Sequence, residues 1–420
     1  MTNDYRLTTI DSYLIAIIFY GSFLLSCACT KEDNSISTSK DAKGVITEKQ
    51  YLWWNKEEEH DQSIESVGLI YNGSFIAESH QGGKSFIALL DAETGKIKWK
   101  WNEYLRETDG GFLDYFSYHN LLSFQSGPRS YCINLENGKT QWNKIWGQPM
   151  YVRVGGIKNQ CFILQDYPDN GDQYPGFYIL DLQTGNIKEK IIPKYLNTIN
   201  RNVSGELGRI ITAKSFNHNS TDYIVITYCE SINEKNCIPL ISLFNYTENK
   251  WVYEYKKITN LESYALPCVD IQNNKIYHDG ASHVFCNDLW TGDSIWTQEF
   301  KGNFLFGSCT YDQGTLYCAA EGDGYYALDA ETGAIKWKGE RAPGTSSRMV
   351  VLNGVLYYIN GGDGRLWALD AATGKTLWRL KSPDGYSFKR EINVMQGDGE
   401  RKGYVLTSTW HGACAYEAER

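Results

Sequence analysis

Methionine is scarce in this chain, with 4 in 420 residues, and positive charge is in deficit, 41 Lys and Arg against 50 Asp and Glu for a net charge of -9. A chain so charged offers no basic face, which argues against nucleic acid as a partner. No two cysteines stand at C-x-x-C spacing, which removes zinc-ribbon and thioredoxin-like readings. The G-x-S-x-G elbow, the H-E-x-x-H pair and the P-loop are missing as well. The one long apolar run, Tyr13 to Leu25, is too short to span a bilayer comfortably. It has the form of a secretory signal, followed by small residues and Cys27.

What the chain holds in abundance is aromatic: 30 Tyr and 13 Trp, with 39 Gly. Flat rings favour the half-buried face of a β-sheet, and glycines with Asn and Asp supply many turns. One phrase recurs: "LLDAETGKIKWK" ends at Lys100, "ALDAETGAIKWK" at Lys338 and "ALDAATGKTLWR" at Arg379. Trp99, Trp142, Trp296, Trp337 and Trp378 each lie four residues after a glycine, while Glu189 and Tyr253 take the same place in two worn copies. The successive spacings are 43, 47, 64, 43, 41 and 41 residues, the period of a four-stranded propeller blade.

Within one period the strands are legible, with a hairpin turn at Asn353-Gly354 and others at 361–364 and 371–374. After Trp378 the remaining 42 residues provide three strands, while "KQYLWWNKEE" near the N-terminus reads as an orphan fourth, with Trp54 as its docking residue. The expectation is an all-β, eight-bladed propeller of four-stranded blades whose N-terminal strand completes the C-terminal blade. Such a ring has no free edge. Seven blades is the alternative count, if the worn stretch around 195–260 is not a full blade. The domain reading is a lipoprotein signal peptide over 1–26, a flexible tether over 27–49 and the propeller over 50–420. The "LLSC" at 24–27 resembles a bacterial lipobox with Cys27 as the lipidated residue; Cys29 competes for that role.

The repeated A-x-D-x-x-T-G-K-x-x-W resembles the docking motif of the PQQ-like (quinoprotein-type) β-propeller superfamily. The resemblance implies that Trp54, Trp99, Trp142, Trp296, Trp337 and Trp378 each stack on the glycine turn of the adjacent blade. Quinone-dependent enzymes share this fold, yet the body of this chain has no adjacent cysteine pair and no long inserted loops. No cofactor and no metal are expected. Signal, tether and propeller together resemble the BamB family of outer-membrane β-barrel assembly lipoproteins. That implies a non-enzymatic scaffold in the cell envelope, tied to the outer membrane by its lipid, facing the periplasm or the cell surface, monomeric by itself and binding envelope proteins. The competing function is a ligand-binding propeller for a glycan or small anion.

Smaller features carry expectations too. Cys229 and Cys237 are a candidate disulfide, as are Cys309 and Cys318, whereas Cys132 and Cys286 fall where other copies have Leu or Ala and read as small core residues. His278 and His283 with Asp279 read as an exposed polar hairpin rather than a metal site. Asp166, Asp169 and Asp172 hint at Ca²⁺ but miss the spacing that wraps oxygens around one ion. Counting back from the first hairpin turn of each blade sets Asp114, Arg153, Cys268, Ser308 and Arg348 at the opening of the inner strands, with Arg390 or Glu391 in the last blade. Either the carboxylates pair with the arginines and pin blades together, or the arginines form a cationic mouth for an anionic ligand or acidic loop.

Overall fold

The computed structural model describes residues 39–40, 44–56, 63–79, 85–103, 115–126, 129–146, 154–165, 176–191, 209–231, 236–258, 262–263, 269–280, 282–300, 303–304, 309–340, 347–389 and 391–420. They form eight sheets, each built on four antiparallel strands that make one blade. Blades 1 to 3 begin at Ser66, Tyr115 and Val154, blade 4 at Arg209, blade 5 at Val269, blade 6 at Asn303, blade 7 at Val350 and blade 8 at Ile392. The seven-bladed count is excluded by blade 4. Its strands Arg209–His218, Thr221–Ser231, Asn236–Asn245 and Lys250–Lys257 make a complete sheet, longer than any other blade.

Burial follows from position in the ring. A second strand such as Ser74–Ser79 packs against neighbours on both faces and is buried at all six residues. An outer strand such as Thr140–Ile145 alternates, its inward residues half buried and its outward ones exposed, because successive side chains point to opposite faces. The cores lie between blades. One cluster joins Trp53, Leu406 and Ala415 of blade 8 to Val67, Phe75 and Ala88 of blade 1.

The repeated phrase builds a turn and a clamp. In blade 6, Asp329 Oδ1 accepts both the Thr332 backbone N–H at 3.0 Å and its hydroxyl at 2.9 Å, and the Gly333 N–H donates to Asp329 O at 2.8 Å. These bonds hold Gly333 at φ +73°, where a Cβ would meet the Trp296 ring of blade 5 at 2.7 Å. The same indole donates Nε1–H to Ala330 O at 3.1 Å. Trp99, Trp142 and Trp337 repeat this on Leu135, Leu182 and Ala371. Tyr253 achieves it with its hydroxyl, which donates to Leu289 O at 3.2 Å beneath Gly292.

At the N-terminus the ring closes as expected, with a shift of one residue. Strand Trp53–Trp54 pairs with Gly412–Glu417 through Trp53↔Ala415 and Trp54↔Cys414. The docking residue is Trp53, not Trp54. Trp53 donates to Ala92 O at 2.8 Å and lies against Gly95, where a Cβ would meet its ring at 2.5 Å. Trp54 points to the other side of the strand, toward the blade 7–8 core, with Lys56 5.5 Å from its ring centre. Alternation makes the two adjacent residues mutually exclusive for the docking role.

Trp378 meets a different partner, because the outer strand of its neighbouring blade is Trp53–Trp54 and no third-to-fourth turn joins it to Gly412–Glu417. Its indole donates to Glu419 Oε2 at 3.1 Å, and Lys49 Nζ sits 5.7 Å from its ring. Part of the segment read as a flexible tether is built into this junction. Ile46–Glu48 adds in parallel to the outer strand of blade 7 at Ile46↔Trp378, and Ser39–Lys40 pairs with it in turn.

Cysteines 132, 161, 286, 309, 318 and 414 are buried and form no disulfide. That bears out Cys132 and Cys286 as core residues, and burial pushes the Cys286 thiol up to about 12. It corrects Cys309 and Cys318, which lie in one cluster without a bond between them. Cys229 faces Pro239 and Cys237 faces Ser231 in the backbone register, so the two are not directly opposed.

Candidate functional site

Each blade runs from the innermost strand outward, so its two faces are made differently. First-to-second and third-to-fourth turns share one face. The first-to-second turns are short, two residues between Leu352 and Val355 and between Asp312 and Thr315, except in blade 8, where residues 397–402 form it. Second-to-third turns share the other face with the ends of the blades, where residues 381–389 lead from Leu380 toward blade 8. Long connections on a rigid ring are where a fold places its recognition groups.

On that second face the blade 8–blade 1 boundary carries a built cluster. Asp384, its side chain 3% exposed, accepts from the Ser382 hydroxyl at 2.5 Å, the Tyr386 N–H at 2.9 Å, the Trp410 N–H at 3.1 Å and His411 Nδ1 at 3.1 Å. Burial alone would raise its pKa; the hydrogen bonds outweigh burial and hold the carboxyl below the usual range. One carboxylate thus ties the 382–386 connection to the second-to-third turn at 410–411. The result is that Trp410 (42% exposed) and Tyr386 (65% exposed) are presented to solvent from a fixed base.

Lys389 lies beneath them. Its ammonium is 3.3 Å from the centre of the Trp410 ring and 3.8 Å from Glu65 Oε1, where the chain enters blade 1. Burial lowers the Lys389 pKa, opposed by the Glu65 and Asp384 carboxylates. Glu65 is itself fixed through its backbone, with N–H to Glu78 O at 2.7 Å and O accepting from the Ser408 hydroxyl at 2.7 Å. Its Oε1 is buried without a hydrogen-bond partner among the protein's atoms. A cationic donor and an anionic acceptor therefore stand side by side against an exposed indole.

The sequence-predicted positions fare unevenly. Arg348 is described and exposed on this face, at the entry to blade 7, and Glu391 lies half buried at the entry to blade 8. Asp114, Arg153, Arg390, Cys268 and Ser308 lie outside the described residues, as do Asp166, Asp169 and Asp172 and lipidation residues Cys27 and Cys29. The hairpin at 278–283 is not an exposed polar loop: His278 and Asp279 are buried. His278 Nε2 lies 2.9 Å from Asn287 Oδ1, and burial lowers its pKa to about 4. Among the described residues no group of three or more His, Cys, Asp or Glu is placed to hold a metal ion.

Asp384, Tyr386, Lys389, Glu65 and Trp410 were not found from the sequence. One signal was available. Trp410-His411 stand where the corresponding turn of blade 6 has Gly322-Asp323, so a bulky aromatic replaces a glycine at a second-to-third turn.

Comparison with known proteins places the architecture. The family model described as outer membrane protein assembly factor BamB matches residues 280–399. No curated protein matches the sequence. Among solved structures, BamB from Moraxella catarrhalis aligns with a TM-score of 0.59 at 12% identity, covering 87% of this chain and 98% of that one. A quinohemoprotein alcohol dehydrogenase from Comamonas testosteroni aligns at 0.63 and 13% identity, covering 87% and 73%. A europium-containing methanol dehydrogenase aligns at 0.64 and 12% identity, covering 85% and 84%. The chain is an eight-bladed β-propeller of the architecture shared by BamB and the quinoprotein dehydrogenases.

Proposed function

We propose that this protein is a lipid-anchored scaffold of the cell envelope, without catalytic activity, that binds other proteins and serves the assembly of outer-membrane β-barrels. The observation that carries the reading is the division of labour between the two faces of one ring. Clamped turns fix the blades, and the opposite face presents the exposed aromatics Tyr386 and Trp410, anchored by Asp384 at the connection that leads into blade 8. The lipobox-like "LLSC" and the polar segment after it support the anchor, and the BamB family model over residues 280–399 supports the partner class. Lipidation at Cys27 and an outer-membrane position belong to the same proposal. A quinone-dependent reading finds no support in the cysteines, because no two adjoin in the body of the chain. Fold alone leaves function open.

The test is affinity purification of the full-length protein from detergent-solubilised membranes, beside a Cys27→Ala variant. The proposal predicts palmitate labelling of the wild type, its loss in the variant, and recovery of β-barrel assembly subunits with the wild type. Recovery of no envelope protein, or equal labelling of both forms, contradicts it.

A further inference from the structure

The outer strand of a blade is an edge, and its unpaired backbone groups are open to another chain unless something guards them. In blades 1 and 6 the guard is lysine: Lys98 and Lys100 flank Trp99, and Lys336 and Lys338 flank Trp337. The same places beside Trp378 in blade 7 hold Leu377 and Arg379, and Arg379 is drawn over the Trp367 ring, 5.6 Å from its centre. The outer strand of blade 5 exposes Ile295, but Thr297, Gln298 and Glu299 follow it. Blade 7 sets leucine where blades 1 and 6 set lysine.

That edge is covered by the chain itself. Ile46–Glu48 lies along it in parallel, paired at Ile46↔Trp378, and Ile46 packs on the blade 7–8 core. Lys49 pins the end of this strap, donating to Glu417 O at 2.8 Å and to Glu419 Oε2 at 3.4 Å. Each outer strand of blades 1 to 6 has at least one exposed residue, whereas Thr376–Leu380 has none and Trp378 is fully buried. Trp99, Trp142, Trp296 and Trp337 are only half buried at their own outer strands. Yet the cover is slight. A strand of three residues with one register pair is short enough to open locally while the ring stays folded.

We propose that residues 46–49 are a guard strap: seated, they keep the protein monomeric, and released, they leave blade 7 to pair edge to edge with a second copy of this chain. The strand's own makeup favours a second copy. An antiparallel pair centred on Trp378 sets Leu377 against Arg379 of the second copy, so no like charges meet within the strand. The contact is two-fold and closes on itself as a dimer. Leu377 and Trp378, uncovered together, supply its apolar area. The device does not depend on which envelope partner the ring binds, so it stands or falls apart from the scaffold role.

Making Val45→Ser, Ile46→Gly, Thr47→Ser and Glu48→Gly together in the full-length protein keeps the length of the strap and Lys49 while removing its strand. Analytical ultracentrifugation in one detergent compares wild type, this strap variant and the same variant carrying Leu377→Lys as well. The expected result is a monomeric wild type and a strap variant that shifts with concentration to about twice the monomer mass. Adding Leu377→Lys, which sets a like charge against Arg379, is expected to return it to monomer. Cooperative melting of all three shows that the ring remains folded. A dimeric wild type, or a strap variant that stays monomeric at every concentration, overturns the proposal. Dimerisation that Leu377→Lys leaves unchanged overturns it too, by placing the contact elsewhere. So does loss of the cooperative melt in the strap variant, which would make the segment part of the fold and not a guard over it.

Discussion

The junction between blades 6 and 7 and the junction between blades 3 and 4 solve the same problem with different parts. At the first, Trp337 stacks on Gly374, whose added Cβ would meet the ring at 2.6 Å, and donates to Ala371 O at 3.0 Å. At the second, the sequence has Glu189 in place of the indole, and the facing turn uses Asn249 at φ 50° instead of glycine. Blade 4 compensates by size and by polar contacts. Its first three strands are ten, eleven and ten residues long. Tyr246 donates to Gln160 at 2.5 Å, Lys158 pairs with Asp222 at 2.8 Å, and the Ser215 hydroxyl bonds Gly156 O. An apolar cluster of Ile157, Ile179, Ile224 and Phe244 fills the space between the blades. The comparison teaches that the aromatic clamp is one way of closing a gap, replaceable where strands extend.

The comparison can be broken most severely at ring closure. Deleting residues 50–56 removes the outer strand of blade 8, including buried Trp53, and exposes the edge of Gly412–Glu417. The expected outcome is loss of the cooperative melt or conversion to oligomers on size exclusion. A monomer with an unchanged melting temperature contradicts it.

A point substitution at the clamp comes next. Trp337→Ala is expected to cost about 3–5 kcal/mol, the scale of large core truncations. Glu189→Ala, at the junction that has Glu in place of the indole, is expected to stay within about 0.5 kcal/mol, as surface changes do. Denaturant midpoints give both numbers, and equal losses would remove the distinction between the junctions.

The turn itself gives a paired, smaller effect. Gly333→Ala adds a Cβ at φ +73° against the Trp296 ring. A left-handed penalty of about 1 kcal/mol and overpacking of about 1–3 kcal/mol together set the expected loss. Asn249→Gly relieves no clash and is expected to change little. A Gly333→Ala variant as stable as wild type would mean that the ring does not bear on that turn.

Acid sensitivity is the gentlest probe. Fully buried His278 has a folded pKa of about 4 against an ordinary 6.5, so protonation is disfavoured in the fold. Its contribution is whole above pH 6.5 and is lost as pH falls from 6.5 toward 4. The turn carboxylates Asp329 and Asp370, held low first by their threonine hydroxyls, add a further loss only as pH falls below their ordinary 3.8. His278→Gln is expected to flatten stability between pH 6.5 and 4 while leaving the steeper fall below it. An unaltered profile in that window refutes the assignment.

Much of the ring was legible because its clamp is local. Asp, Thr, Gly and Trp within nine residues encode a turn and the residue that covers the next one, so the period with the orphan N-terminal strand points to eight blades, and only the worn stretch around 195–260 left seven open. Even the worn copies kept their places, with Tyr253 recovered as a docking residue through its hydroxyl. The slip from Trp53 to Trp54 arose where spacing does not decide, since both residues fit a period that varies by several residues. Only the alternation of a two-residue strand separates them. The structured part of the tether escaped because Ile46–Glu48 owes its strand to the edge of blade 7 and not to its own pattern. The cluster at Trp410 was hidden for a related reason. Its members come from 65, 384–389 and 410–411, which no repeat relates, and its one trace is the loss of a turn glycine.

Closure by the N-terminal strand is the claim on which the ring, its clamps and the face that carries Trp410 all depend. Native-state hydrogen exchange at Leu52 and Asn55, whose N–H groups donate to Ala415 O and Ala413 O, measures it residue by residue. If the strand is part of the ring, both amides exchange only with global unfolding, as slowly as those of the buried second strand of blade 1. Exchange at these two amides orders of magnitude faster, with blade 1 still protected, would contradict it.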